Sequence, residues 1–282
     1  MTDIARVSIT LVKPWADYAW LLNTPLGVLD TLSEDDISRS MHLLAEKLST
    51  LVDPKNLDGT IGEKGLTQMF LEVWTAKLQA LNINTEQADP RMEVRASYAT
   101  LATLPPLTLT SRPHTINLVS TDEDVDSVAA LALEFHARFP TRPISPEQVV
   151  RELRAAVRMR QLWVCRADGK IVAYVLMGRL TPCTVAIRNV YVTPAYRKQG
   201  IAGAMVTGLS RWYLGAEPLG FDGAPSARPP GGVVKAVCLN VAEEHVARLY
   251  KRCGFLLAQS DRDPDTGVLT SYYSLWRTVK FS

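Results

Sequence analysis

The sequence predicts an α/β protein, because segments with strand and helix periodicity alternate along the chain. The clearest strands are Leu162–Arg166 and Ile171–Arg179, and Asp168-Gly169 between them is a strong hairpin-turn signal. The clearest helix start is Ser145-Pro146-Glu147, where an N-cap serine precedes a proline at the first helical position. These three observations predict strands that are connected both by tight turns and by helices.

The other elements from Thr115 onward follow from the same signals. The remaining predicted strands are Thr115–Val119, Thr184–Val192, Val233–Val241 and Ser271–Arg277. The predicted helices run from Thr121 to about Phe139, from Ser145 to about Arg160, and over Ile201–Leu214 and Glu243–Cys253. Residues 215–232 are rich in glycine and proline, which indicates a long flexible connection.

The sequence predicts two regions: a mostly helical N-terminal region over residues 1–110 and a second domain over 111–282. Ser33 precedes three acidic residues and an apolar period that ends near Leu51, and a second periodic stretch covers Leu66–Leu81. Strands are expected at Val7–Val12 and near Arg95–Leu101. No residue between 1 and 92 is typical of a catalytic group, and no internal repeat is visible in the sequence.

Composition excludes several function classes. The 31 basic and 29 acidic residues leave a net charge of +2, which gives no general reason to expect nucleic-acid or membrane binding. No apolar run reaches the length of a membrane span, and the N-terminus does not resemble a secretory signal. The four cysteines form no CxxC pair, so no metal is expected. We expect a cytoplasmic protein with reduced thiols.

The segment Val190–Ala204 carries the chemical signal: a strand, a basic turn with glycine, and a helix start. A helix N-terminus exposes unpaired N–H groups that bind phosphate, and Gly200 lets an anion approach the backbone. Charge-assisted N–H bonds of about 1.5–3 kcal/mol each would outweigh the helix dipole. A plain basic turn is the alternative. The segment is neither a P-loop nor the GxGxxG dinucleotide motif.

The whole segment resembles the acetyl-coenzyme A signature of the GCN5-related N-acetyltransferases, the GNAT family. Arg197, Gly200 and Ala202 match its core pattern, and Ala247 through Gly254-Phe255 is similar to the family's second motif. The resemblance covers residues 114–282 and leaves out 1–110. It implies a mixed, mainly antiparallel twisted sheet, splayed near Val192 and Asn240 to admit the cofactor.

The resemblance implies an acyltransferase that moves an acetyl group from acetyl-CoA to a primary amine without a covalent acyl-enzyme. Tyr250 would act as general acid toward the departing thiolate. The implied cofactor-binding residues are Val190, Tyr191, Val192, Arg197, Lys198, Gln199, Gly200, Ile201, Ala202, Gly203 and Asn240.

The general base is less defined, because Thr184–Val192 lacks the glutamate that some family members carry on this strand. Glu134 and His136 lie where the family lines its acceptor cleft, and His245 is a further option. Arg188 would bind a carboxylate of the acceptor, which favours a small amino-acid-like metabolite as partner. A protein lysine acceptor and a non-catalytic CoA-binding scaffold remain as alternatives.

Overall fold

The computed structural model describes most of the chain. The described residues are 9–13, 19–24, 31–106, 114–138, 144–221, 225, 228–258, 260–267 and 273–281, the last range without the side chain of residue 273. They form two compact units, of which unit 1 comprises residues 1–95 with 272–282 and unit 2 comprises 96–271.

Six helices and eleven strands are present in the described part of the chain. The helices are α1 Glu34–Leu51, α2 Lys64–Ala80, α3 Asp122–His136, α4 Pro146–Arg158, α5 Ile201–Leu214 and α6 Glu244–Arg252. The strands are β1 Thr10–Val12, β2 Trp20–Asn23, β3 Gly59–Glu63, β4 Thr85–Gln87, β5 Met92–Ala99, β6 Thr115–Leu118, β7 Leu162–Ala167, β8 Lys170–Gly178, β9 Thr184–Val192, β10 Ala236–Val241 and β11 Tyr273–Phe281. The mixed α/β class is therefore confirmed.

Unit 1 packs its two helices around an apolar core. Ser33 caps α1 by accepting a hydrogen bond from the Asp36 N–H, as the capping signal predicts. Trp74 and Phe70 of α2 are fully buried and stack with ring centroids 6.3 Å apart. Both helices are confirmed, but residues 1–95 also contain β1 to β4 and part of β5, of which the sequence indicated only β1 and β5.

The strands of unit 1 form a mixed arrangement in which β11 is central. β11 pairs antiparallel with β3, β4 and β5, β2 runs parallel to β3, and β1 runs antiparallel to β2. The last strand was predicted as part of the second domain, and the structure instead groups it with unit 1 because its pairing partners lie there. The division near residue 95 also differs from the predicted boundary at 110.

Unit 2 contains the sheet order β6-β7-β8-β9-β10, antiparallel except for the parallel pair β9 and β10. The predicted bounds of β9 and α5 agree with the structure residue for residue. The hairpin between β7 and β8 has the predicted turn, because Asp168 and Gly169 have φ of +49° and +77°.

The helices of unit 2 cover the two sheet faces with separate apolar clusters. On one face α5 and α6 pack against alternate residues of the strands, including Trp163, Val175 and Ile187. On the other face α3 and α4 cover a second set that includes Tyr174 and Tyr191. Side chains from β9 therefore reach two different environments.

The start of the segment 215–232 is packed, which corrects the expectation of a flexible connection. Arg211 of α5 donates hydrogen bonds from Nε to the Pro218 carbonyl (2.6 Å) and from Nη2 to the Glu217 carbonyl (3.0 Å). Phe221 lies against Gly208, where a Cβ would be 2.5 Å from its ring. Hydrogen bonds from the Arg211 guanidinium to backbone carbonyls therefore hold the start of this segment in place, although its glycine and proline content alone indicates a flexible connection.

Candidate active site

The strands β9 and β10 separate after a short parallel contact. They pair at Thr184, Val185 and Ala186, opposite residues 236–238, and the described pairing ends there. Strand β9 continues to Val192 and β10 to Val241 beyond this point. The two strands thus open toward their carboxyl ends, where ligands bind in sheets with parallel strands.

The backbone of β9 presents polar groups toward this opening. Thr193 follows β9 and donates its N–H to the Val172 carbonyl of β8 (2.9 Å). Since hydrogen-bonded and non-hydrogen-bonded pairs alternate in an antiparallel ladder, Val190 and Val192 occupy non-hydrogen-bonded pairs with β8. Their N–H and C=O groups therefore point away from β8, on the side where the pairing with β10 has ended.

The turn between β9 and α5 presents a helix start without a side-chain cap. Lys198 and Gly200 have φ of +61° and +79°, and Gly200 is the N-cap of α5. No side-chain hydrogen bond caps this helix, so the N–H groups of its first turn face the turn without a side-chain acceptor. Lys198, Gln199 and Gly200 are exposed. This arrangement fits an anionic group such as a diphosphate.

Arg197 connects the turn to the end of β9 through a hydrogen bond. Its Nε donates a hydrogen bond to the Val192 carbonyl (3.0 Å), and its guanidinium carbon lies 5.6 Å from the ring centroid of Tyr191. The cation is therefore held beside the start of α5 by both a hydrogen bond and a cation–π contact.

Tyr250 lies on α6, and Asn240 lies on β10. Tyr250 is 8% exposed and packs against Phe255, with ring centroids 5.9 Å apart. Burial raises the pKa of the Tyr250 phenol to about 12, so the side chain keeps its proton at neutral pH. Asn240 is exposed and lies beyond the last residue of β10 that pairs with β9.

Glu134 contacts the sheet through Tyr191, which the family resemblance implied to be a cofactor-binding residue. The Tyr191 hydroxyl donates a hydrogen bond to Glu134 Oε2, and burial together with this carboxylate raises the pKa of Tyr191. The guanidinium carbon of Arg138 lies 5.2 Å from the Tyr191 ring centroid. One carboxylate oxygen of Glu134 is therefore already engaged by Tyr191.

His136 and Arg188 lie near Glu152 of α4. Burial lowers the pKa of His136; the nearby Glu152 opposes this effect, and Arg188 adds to it. Arg188 Nη2 is 3.9 Å from Glu152 Oε2, and the stem of Arg188 runs over Gly178, where a Cβ would be 2.5 Å from its Cδ. The neutral imidazole that burial favours is the form in which His136 can accept a proton.

A β-bulge explains the position of Arg188. In the pairing of β8 with β9, Leu176 is opposite Asn189 and Met177 is opposite Ile187. Arg188 therefore has no partner on β8 and is the additional residue of the bulge. Sequence reasoning missed this bulge, and it also missed Arg138 and Glu152. The spacing of four residues from Glu134 to Arg138 on one helix face was the available signal for Arg138.

The predicted residues fall into two groups in the structure. Tyr250 belongs to the apolar cluster that α5 and α6 form, whereas Tyr191, the partner of Glu134, belongs to the cluster under α3 and α4. His245 is exposed and its Nδ1 lies 3.3 Å from Glu243 Oε2. Among the described residues no hydrogen bond joins Tyr250 to Glu134 or His136.

The described residues offer neither a metal site nor a membrane span. No group of three or more His, Cys, Asp or Glu side chains there could hold a metal ion. None of the helices in the same residues combines the length and apolar character that crossing a membrane requires.

Part of the chain matches a known domain family. Residues 158–256 match the family model described as the acetyltransferase (GNAT) domain. This range contains the parallel pair β9 and β10, the start of α5 and Tyr250, so the fold of this part of the chain is that of an acetyltransferase (GNAT) domain. The matched range lies within unit 2. No curated protein matches the sequence.

Solved structures are similar in fold. A GCN5-related N-acetyltransferase from Kribbella flavida is 10% identical, with a TM-score of 0.51 over 96% of this chain and 89% of that one. One from Sphaerobacter thermophilus is 16% identical, with a TM-score of 0.47 over 79% of this chain. The present chain covers 59% of that protein's length. A tandem GNAT protein from the clavulanic acid biosynthesis pathway is 11% identical, with a TM-score of 0.48 over 97% and 78%.

Proposed function

We propose that the protein transfers an acetyl group from acetyl-CoA to a primary amine of a small, amino-acid-like metabolite. The observation that carries this proposal is the opening between β9 and β10 above the uncapped start of α5. An extended arm needs strand backbone that is not paired with a neighbouring strand, and a diphosphate needs a helix start without a side-chain cap; both features adjoin here.

Different residues would bind different parts of acetyl-CoA. The backbone of Val190 and Val192 would pair with the pantetheine arm, while Asn240 would contact its amide. The N–H groups from Lys198 to Gly203 would hold the diphosphate, aided by the charge of Arg197. When bound, acetyl-CoA supplies an acetyl group activated as a thioester. Backbone N–H near Val192 would polarise the thioester carbonyl.

Proton transfer is assigned to two side chains. Tyr250 is the general acid, since its raised pKa keeps a proton available for the departing thiolate. His136 suits the role of base better than Glu134, because its lowered pKa favours the neutral imidazole while Glu134 already accepts a hydrogen bond from Tyr191.

The acceptor is proposed from the charges on the face under α3 and α4. Arg188 would bind a carboxylate of the acceptor, and Glu152 at 3.9 Å is a weak competitor for it. The near-neutral net charge of +2 supports a small cytoplasmic metabolite rather than nucleic acid or a membrane surface as partner.

Thiol release in the presence of acetyl-CoA tests this function. We expect CoA thiol to appear with an amino-acid-like amine and not with a lysine peptide, in a panel that contains both. Cys183 is an exposed free thiol, so Cys183→Ser serves as the background control. Turnover with the peptide alone would move the acceptor to proteins. Cofactor binding without turnover would favour a scaffold, and absence of binding would contradict the proposal.

The pH profile tests His136. We expect kcat/KM to rise with pH through a limb that lies below 6.5, the ordinary pKa of histidine, because burial lowers the pKa of His136 and the neutral form is the active one. In His136→Gln the limb disappears and kcat falls about 10²-fold or more. The matched control is His245→Gln, which should keep the limb. A limb that persists in His136→Gln would assign the base elsewhere.

A further inference from the structure

Unit 1 repeats the order of elements that forms the site in unit 2. In unit 2, β8 and β9 are antiparallel, α5 crosses over to β10 parallel to β9, and α6 follows. In unit 1, β1 and β2 are antiparallel, α1 crosses over to β3 parallel to β2, and α2 follows. Five successive elements thus share order and direction, although the sequence shows no repeat.

The parallel pair of unit 1 is closed where that of unit 2 is open. β2 and β3 stay paired through Leu22 and Gly62, each one residue before its strand ends. A Cβ on Gly62 would lie 2.4 Å from the Leu22 carbonyl oxygen and 3.0 Å from Thr67 Oγ1. The missing side chain lets the two strands and α2 meet, so the chain itself fills the space that an extended ligand would need.

The N-terminus of α1 is also less suited to bind an anion than the N-terminus of α5. The Ser33 side chain caps α1, and the first turn carries Glu34, Asp35 and Asp36. These carboxylates stabilise the helix and repel a diphosphate. In α5 the corresponding positions after Gly200 are Ile201, Ala202 and Gly203, with no acid in the first turn and no side-chain cap.

We propose that unit 1 is a second copy of the cofactor-binding segment that does not bind the cofactor, so that each chain binds one CoA, in unit 2. The inference rests on the proposed function, because it presupposes that α5 binds the diphosphate. Two independent features of unit 1, the closed strand pair and the acidic capped helix, remove the two contacts that binding requires.

Calorimetry with acetyl-CoA on the full chain tests the proposal through stoichiometry and three variants. Ala202→Asp places in α5 the acid that Asp35 supplies in α1, and Asp is well tolerated in a first helical turn. We expect one site in the wild type and binding weakened about 100-fold or more in Ala202→Asp. The neutral isostere Ala202→Asn should lose far less, which separates charge from size. Asp35→Asn should keep the wild-type affinity and stoichiometry.

The outcomes separate this inference from the proposed function. Two sites in the wild type, or one tight site that survives in Ala202→Asp, would place a working site in unit 1 and overturn the inference while leaving acetyl transfer possible. Absence of heat in the folded wild type, verified by circular dichroism, would overturn the proposed function and the inference with it.

Discussion

Tyr250→Phe is expected to lower kcat by about 10²–10⁴-fold while the KM for acetyl-CoA stays close to the wild-type value. Burial holds the pKa of the phenol at about 12, so Tyr250 remains a proton donor throughout the usual pH range. Phenylalanine keeps the ring contact with Phe255 and removes only the hydroxyl group. Steady-state thiol release and cofactor titration measure the two effects separately.

Tyr213→Phe is the matched control for this variant. Tyr213 is 1% exposed, and burial raises the pKa of its phenol to about 12, as for Tyr250. It lies near the end of α5, away from the turn that begins the helix. We expect its kcat to be unchanged. If Tyr250→Phe also kept the wild-type kcat, another group or water would have to protonate the thiolate.

Gly254→Ala is expected to destabilise the protein by about 3 kcal/mol, which lowers the unfolding midpoint by about 6–12 °C. Gly254 follows α6 with φ of +92°, and its Cβ would lie 2.6 Å from the Thr103 carbonyl oxygen and 3.0 Å from Pro105 Cδ. Its N–H and that of Phe255 donate to the carbonyls of Lys251 and Tyr250, which closes the helix end. Thermal unfolding followed by circular dichroism measures the change.

Gly232→Ala separates backbone strain from the steric clash. Gly232 has φ of +88°, and no atom lies within 4 Å of the position that a Cβ would occupy, so only the conformational cost of about 1 kcal/mol applies. We expect a midpoint decrease of about 2–4 °C for this control. Equal decreases in the two variants would show that the contact with Thr103 carries no additional cost.

Much of unit 2 could be predicted from local signals. Ser145 caps α4 with the predicted capping residue, Asp168-Gly169 forms the predicted turn, and β9 and α5 have the predicted bounds. These features depend on residues within a few positions of one another, so their signals are present in short stretches of sequence. The family resemblance of residues 190–204 is likewise contained in one short stretch of sequence.

Pairing between distant strands was not predictable in this way. β11 joins unit 1 because it pairs with β3, β4 and β5, and no local pattern in the strand itself states its partner. The order of elements from β1 to α2 repeats that from β8 to α6, but the sequence shows no repeat. Two segments can share a topology without sharing side chains.

The sequence by itself determined the α/β class, the bounds of β9 and α5, and the resemblance around Gly200, because each depends on local conformational preference and residue chemistry. Only the tertiary structure decided where β9 and β10 separate, that Tyr191 donates to Glu134, and that unit 1 closes its own strand pair at Gly62. Those features join residues far apart in the chain, and long-range contacts are set by packing of the whole fold rather than by any segment alone.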